Sequence, residues 1–566
     1  MLLASLLLLA SALPQQTAPA TTAELIAQYT ADRNALARVD SIPLSTAGLE
    51  RTVRFAMEWT ADLDRVDFES LSTRYQIDWL LLRNQIAHEL AAAHREHGRV
   101  LEILPLASFT LPLVSLLEEK SKRNLVPAKE VAQVFADATL AIDLAMDRFN
   151  NRVPLVSASL ANRAAGQLES LQNKLRDLHE DRMGYEPDYS WWCSAPWKTL
   201  QPKLDAYATF LREELGGQKP EDEDPLIGDP IGREALLQEL QFERIAYSPE
   251  ELIAIAEREL AWCLEERKKA ATEMELGEDW QAAQEHVKSL HVPAGQQPQL
   301  IRELADEAVA FLEERDLITI PAIAKRVWRM DMMSVERQKY TPYFTGGEVI
   351  SIAYPTDGME HEDKIMSMRG NNRHYAKATV HHELIPGHHL QGYMSRRWNP
   401  QRRAFYTPFL VEGWALYWEL RLWDLDFAES PEDRIGMLFW RSHRCARIIF
   451  SLKFHLGEWT PEECIDFLVD QVGHERRNAT AEVRRSIQGG YGPLYQCAYM
   501  TGGLQLRALQ NECVKNGAWT DKQFHDAVLR AGPIPLELLR AELLGLELTP
   551  DFPVTWRFDD VLRGRW

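Results

Sequence analysis

His381-His382-Glu383-Leu384-Ile385-Pro386-Gly387-His388-His389-Leu390-Gln391 puts four imidazoles and one carboxylate into eleven residues, behind an apolar-periodic lead-in of Tyr375, Ala376, Ala378 and Val380. That composition makes a poor surface loop and a good cradle for one divalent ion. In the common zinc-protease helix two histidines stand four apart with a glutamate after the first, so both rings share a face. Here the position four on from His382 is Pro386, which cannot ligate. The next histidines are six and seven residues away, and seven residues of regular helix rise about 10.5 Å, too far for two ligands of one ion.

Removing Pro386-Gly387 restores the standard spacing, His382-Glu383-Leu384-Ile385-His388. Proline deletes a backbone hydrogen bond and glycine accepts unusual dihedrals, so the pair predicts a bulge that returns His388 to the face of His382. His381 and His389 then point elsewhere and act behind the ligands or in packing. A third ligand is expected from Phe409-Leu410-Val411-Glu412-Gly413-Trp414-Ala415-Leu416-Tyr417-Trp418-Glu419, apolar almost all round yet carrying Glu412 and Glu419 on one face. Buried carboxylates are costly unless paired or bound to metal. Glu412 is the candidate ligand and Glu419 its support.

The combination His382-Glu383-x-x-Pro386-Gly387-His388-His389-x-Gln391 with Glu412-Gly413-Trp414-Ala415-x-Tyr417-x-Glu419 resembles the bacterial DUF885 family, whose members resemble zinc-dependent peptidases of the gluzincin type. The likeness covers about the last three hundred residues and, more faintly, the N-terminal half. It implies a mainly α fold: a large, two-lobed, metallopeptidase-like helical protein with a small β-sheet beside the zinc helix. It brings no settled substrate.

Several expectations follow from that resemblance. The one convincing β signal, Tyr343 to Pro355, lies just before the zinc helix. Zinc peptidases of this kind hold an extended substrate on the edge of such a strand, which makes Gly347, Val349 and Ser351 candidate substrate contacts. Arg447 and His455 match recurrent family positions, and His455 is expected to face the cleft as an oxyanion donor. Where the family commonly has Pro-Gly-Gln this chain reads Pro493-Leu494-Tyr495, but Tyr499 and Gly502 still match. Tyr499 therefore ranks first as the tyrosine steadying the oxyanion, with Tyr495 and Tyr491 behind it. Arg373, Arg447 and Arg485 are candidate anchors for a substrate carboxylate.

Elsewhere the chain is ordinary: 566 residues, 45% hydrophobic and 26% charged. Acidic residues outnumber basic ones 84 to 63, for a net charge of −21, which repels phosphates and argues against nucleic acid or anionic membrane as partner. Residues 1–12 are a short apolar run ending in Ala10-Ser11-Ala12, a small-x-small pattern that reads as a signal peptide and places the protein in the periplasm or outside the cell. No Lys or Arg precedes the run, and no Cys follows the cleavage pattern, which argues against a lipid-anchored form. No later stretch approaches 18 uninterrupted apolar residues, so no span is expected in the mature chain. The six cysteines lack Cys-x-x-Cys spacing and are expected to be free buried thiols.

The domain reading is a signal peptide and spacer over 1–16, a helical scaffold over 17–230 and a catalytic region over 231–566. The Gly/Pro/acid-rich stretch 217–232 marks the boundary. Ser248-Pro249-Glu250-Glu251 and Thr460-Pro461-Glu462-Glu463 read as helix starts, and Glu360-His361-Glu362-Asp363 as a polar loop.

The expected chemistry is peptide-bond hydrolysis by water activated on zinc (Zn2+) held by His382, His388 and Glu412, with Glu383 as general base. Two rivals are a helical binding protein of the same fold without activity, and a zinc hydrolase of non-peptide amides or esters. Whether cleavage is internal or at a terminus is left open.

Overall fold

Hydrophobes at three- and four-residue spacing predict a helical protein, and the computed structural model has that architecture. It describes residues 21–39, 41–151, 156–219, 225–338, 344–488, 490–515 and 518–562. The leader expected at 1–12 lies outside the described residues, as does Tyr343. The helices used below are α1 (Thr22–Ala37), α2 (Thr73–Ala107), α3 (Ala128–Asn151), α4 (Ala158–Arg182), α5 (Pro187–Phe210) and α6 (Pro249–Glu273). Beyond them come α7 (Arg373–Glu383), α8 (His388–Ser395), α9 (Pro408–Asp424), α10 (Pro431–His455), α11 (Arg476–Gln488), α12 (Tyr495–Gln510) and α13 (Leu536–Leu544).

Local sequence accounts for the helix starts. Ser248 and Glu251 form a reciprocal capping box, as do Thr460 and Glu463. Asn372 caps α7 by accepting from the N–H groups of His374 and Tyr375, each at 3.0 Å. The segment read as a polar loop at 360–363 instead opens a helix, His361–Gly370, with Glu362 and Asp363 favoured in its first turn by the helix dipole.

The cores do not follow the 17–230 division. Buried residues from Val100 to Leu215, together with Leu44, form one cluster that runs from the end of α2 to the turn just after α5. Those from Leu25 to Ile86 instead join a much larger cluster with residues between Leu236 and Leu562. The two halves are tied by Arg402, whose side chain is fully buried. Its Nε donates to Asp78 of α2 at 2.6 Å and its Nη1 to Glu542 of α13 at 2.6 Å and to the Ala531 carbonyl at 2.9 Å. The stretch Thr73–Ser121 is apolar and long enough by composition to cross a membrane, but 56% of its most apolar window is buried inside the molecule. All six cysteines are free and buried.

Two strands, β1 (Arg329–Met332) and β2 (Val349–Ile352), pair in parallel, Arg329 opposite Val349. Ile350, Ile352 and Phe344 pack with Ala376, Val380 and Leu384, which seats this small sheet on the outer face of α7. The inner face of α7 meets α10, whose side chains are buried almost all round, and α9. Helices α9 and α12 touch through their backbones: a Cβ on Gly502 would lie 1.9 Å from the Phe409 carbonyl oxygen, and one on Gly413 would lie 2.6 Å from Gly502 Cα. That contact fixes Glu412 relative to Tyr495 and Tyr499.

Candidate metal centre and cleft

The 381–391 stretch folds as two helices rather than one bulged helix. Helix α7 ends at Glu383, a turn runs through Leu384, Ile385, Pro386 and Gly387 with a cis Ile385–Pro386 peptide, and α8 begins at His388. Proline cannot donate to the helical ladder, so the ladder stops and the turn finds other partners. The Gly387 N–H donates to the His381 carbonyl at 3.0 Å, and Trp414 Nε1 donates to the Pro386 carbonyl at 2.8 Å. The fit at Gly387 is close: a Cβ there would fall 1.8 Å from the His382 oxygen.

This turn brings the His382 and His388 rings to 4.8 Å between centroids at 88°. Glu412 of α9 completes the group, with Oε2 at 3.2 Å from His388 Nε2 and 3.8 Å from His382 Nε2. Among the described residues, these three offer ligand atoms all within 4.8 Å of one another. His382 Nδ1 lies 2.7 Å from Glu419 Oε1, which fixes its proton there and leaves the Nε2 lone pair for the cluster. Tyr495 donates to the other Glu412 oxygen at 2.5 Å.

The electrostatics suit a cation. Burial lowers His382, yet Glu412 and Glu419 overcome it and lift its pKa to about 9. Burial raises Glu412, but His388 and His382 hold it well below the usual carboxylate range. Each glutamate is thus held ionised against the cost of burial by neighbouring positive charge, which a divalent ion would provide more strongly. Two imidazoles and one carboxylate are also a donor set that zinc takes in catalytic sites. Glu383 stands apart: burial raises its pKa, with His382 and His388 opposing only in part. Its carbonyl accepts from the Gly347 N–H at 3.3 Å.

The triad opens on a cavity of about 270 Å³ that Glu383, Tyr491, Tyr495 and Tyr499 also line. The Tyr499 ring stacks at 6.4 Å and 15° on that of His382. Three arginines form another wall, Arg444 and Arg447 from α10 and Arg485 from α11, beside Glu482. A second cavity of about 290 Å³, with Met359 and Met366 in its lining, shares Asn478 and Ala481 with the first.

Other expected residues lie elsewhere. His381 Nδ1 donates to the Lys377 carbonyl at 2.8 Å and its ring packs on Phe427; His389 Nε2 donates to the Ala324 carbonyl at 2.7 Å. His455 does not line the cavity. It is eight residues beyond Arg447 on the same helix, a rise of about 12 Å, and sits against Phe454 with Asp229 as its charged neighbour.

The substrate edge also differs. Thr345 bridges Ser351 on the side of β2 away from β1, through N–H···O contacts of 2.7 and 3.1 Å. That edge is therefore occupied, Gly347, Val349 and Ser351 are not in the cavity lining, and Phe344, Thr345 and Gly346 are. Arg373 faces Glu303 and Glu307 instead of the cleft. Sequence reasoning passed over Arg444 and Glu482, although both stand three residues from arginines it singled out, one helical turn away.

The chain matches, over residues 31–543, the family described as "Bacterial protein of unknown function (DUF885)". Its fold is similar to that of a candidate lipoprotein of unknown function from Shewanella oneidensis, at 17% identity and a TM-score of 0.68, covering 93% of this chain and 100% of the other. It is also similar to a candidate lipoprotein from Colwellia psychrerythraea, at 16% identity and a TM-score of 0.60, covering 93% and 98%. No curated protein matches the sequence.

Proposed function

The chain belongs to the DUF885 family, which brings no established activity, and from its own site we propose that it is an exported zinc-dependent peptidase hydrolysing oligopeptides. The observation that carries this reading is the convergence of His382, His388 and Glu412 within 4.8 Å, with Glu383 lining the same cavity. Export is in keeping with the description of both structural neighbours as lipoproteins.

His382, His388 and Glu412 would hold the ion. When bound, zinc supplies Lewis acidity, polarising a carbonyl and bringing the ionisation of water toward neutral pH. Glu383 would hold the proton of the attacking water on its carboxylate and return it to the leaving amine nitrogen. A carboxylate whose burial raises its pKa is suited to both halves of that cycle. Glu419 keeps the Nδ1 proton of His382 in place, and Tyr495 orients Glu412. The hydroxyl of Tyr499 is the donor assigned to the carbonyl oxygen as it gains charge.

The test is metal content of the purified chain, followed by hydrolysis of a random peptide library by the native protein and by Glu383→Gln. Stoichiometric zinc with turnover abolished in the variant is expected. Equal turnover by both proteins would refute the assignment.

A further inference from the structure

Three arginines in so small a cavity are more than the ligand triad requires, and their partners do not neutralise them. Arg447 is 3% exposed and Arg444 5% exposed. Buried guanidinium groups are costly unless matched by anions. Arg447 Nε donates to Glu482 at 2.6 Å, and Arg485 shares the same carboxylate at 3.8 Å, so one negative charge serves two positive ones. Arg444 reaches Glu419 at 3.5 Å, but Glu419 is already engaged by His382. Arg447 Nη1 and the Nε atoms of Arg444 and Arg485 are buried without a hydrogen-bond partner. A guanidinium fork with open N–H groups in a cavity is built to accept an anion from outside the fold, and carboxylate is the shape it fits best.

We propose that Arg447 and Arg485 form a subsite for the α-carboxylate at the C-terminus of a peptide, so that the site removes residues from that end. The proposal rests on the peptidase reading above. The spacing agrees with a short leaving segment. The guanidinium carbons of Arg447 and Arg444 lie 4.6 and 4.9 Å from the Tyr499 ring, which is itself 6.4 Å from His382. Those two distances put the Arg447 guanidinium within about 11 Å of His382, and extended chain advances about 3.3 Å per residue, so a segment of no more than about three residues spans from the scissile carbonyl to the arginines. Tyr491, over Arg485 at 5.1 Å and 4.4 Å from the Tyr495 ring, would flank that segment. The opposite polarity has little to support it. An amino-terminal subsite needs a spare carboxylate, and among the described lining residues Glu482 is committed to arginine while Glu383 and Glu412 belong to the reaction centre.

Two measurements on the full chain separate the possibilities. The first is cleavage by the zinc-loaded protein of N-acetylated tetra-alanine, as free acid and as C-terminal amide, with fragments identified by mass. The second is calorimetric binding of N-acetyl dialanine, acid against amide, to Glu383→Gln protein. The free acid should be preferred by about 100-fold or more in both, because a site built to bind a charge leaves its groups unmatched when that charge is missing. In Arg447→Gln, and in the more exposed Arg485→Gln should the first fold poorly, the acid-to-amide ratio should collapse toward unity. Acid-selective binding with no cleavage of either peptide would support the subsite and sink the peptidase reading. Cleavage of both peptides at equal rates, with equal binding, would overturn the subsite and leave the peptidase reading intact.

Discussion

At the residue scale, the half-buried Glu383 and the buried Glu419 both lie near one histidine, yet their surroundings give them opposite work. Glu419 is held below its ordinary pKa against burial by Arg444 and His382, and so stays a fixed acceptor. Glu383 is raised by burial and can exchange a proton. We expect Glu383→Gln to keep its zinc while turnover falls by about 10²- to 10⁴-fold, the usual worth of a general base. Glu419→Gln should instead weaken zinc binding by about 10- to 100-fold, the measured range for groups that orient a metal-binding histidine; a chelator titration distinguishes the two. Glu412 was legible from sequence because a carboxylate in an otherwise apolar helix demands a reason. His455 was misread because matching a residue to a family position carries no distance along the helix. The eight-residue spacing between Arg447 and His455 is itself the signal, since it separates the two by about 12 Å of helical rise.

At the scale of elements, the Pro386-Gly387 pair announced that a regular helix fails there, but not how. Proline and glycine say that the ladder stops; whether the chain bulges or turns depends on partners such as Trp414, 28 residues on, which local sequence cannot choose. The strand was readable from its β-branched residues, whereas its blocked edge was not, since the bridge from Thr345 is a tertiary event. Gly387→Ala should leave most helices intact while abolishing zinc binding, measured by metal content against circular dichroism, because its Cβ would collide with His382's own carbonyl. Gly502→Ala should cost about 3 kcal/mol, the upper part of the usual overpacking range, by prising α12 from α9. Its denaturation midpoint and zinc affinity should fall together, because Glu412 rides on the same contact.

At the scale of the whole molecule, charge pairs and buried imidazoles set the tolerance of the fold. Asp78→Asn leaves Arg402 short of a partner where both side chains have no exposure, and should cost about 3–5 kcal/mol in urea unfolding. Acid should act through buried histidines outside the ligand triad. Burial lowers His525 and His455 to about 4 and His474 to about 3, and lowers His443 well below its ordinary value. Each is neutral when folded and binds a proton more readily when unfolded, so its contribution is complete above pH 6.5 and declines as the pH falls below it. The loss at pH 5 is about 2 kcal/mol for each of His525, His455 and His474. Glu243, raised to about 7 by burial, works in the other direction, and Glu482, lowered to about 2 by Arg447 and Arg485 against burial, adds its own loss only below about 4.5. Urea midpoints measured from pH 8 to pH 5 should therefore fall with acid, and a flat profile would contradict these burial assignments.

The division of the cores bears on the order in which the protein can form during synthesis. The bundle spanning Val100 to Leu215 has all its apolar partners nearby in the chain and can close as soon as it is made. The opening segment, Leu25 to Ile86, must wait for partners reaching as far as Leu562. Newly made chains therefore spend most of translation with finished middle helices and a sticky, unmatched beginning, and a chaperone that shields that beginning is what such a chain would depend on.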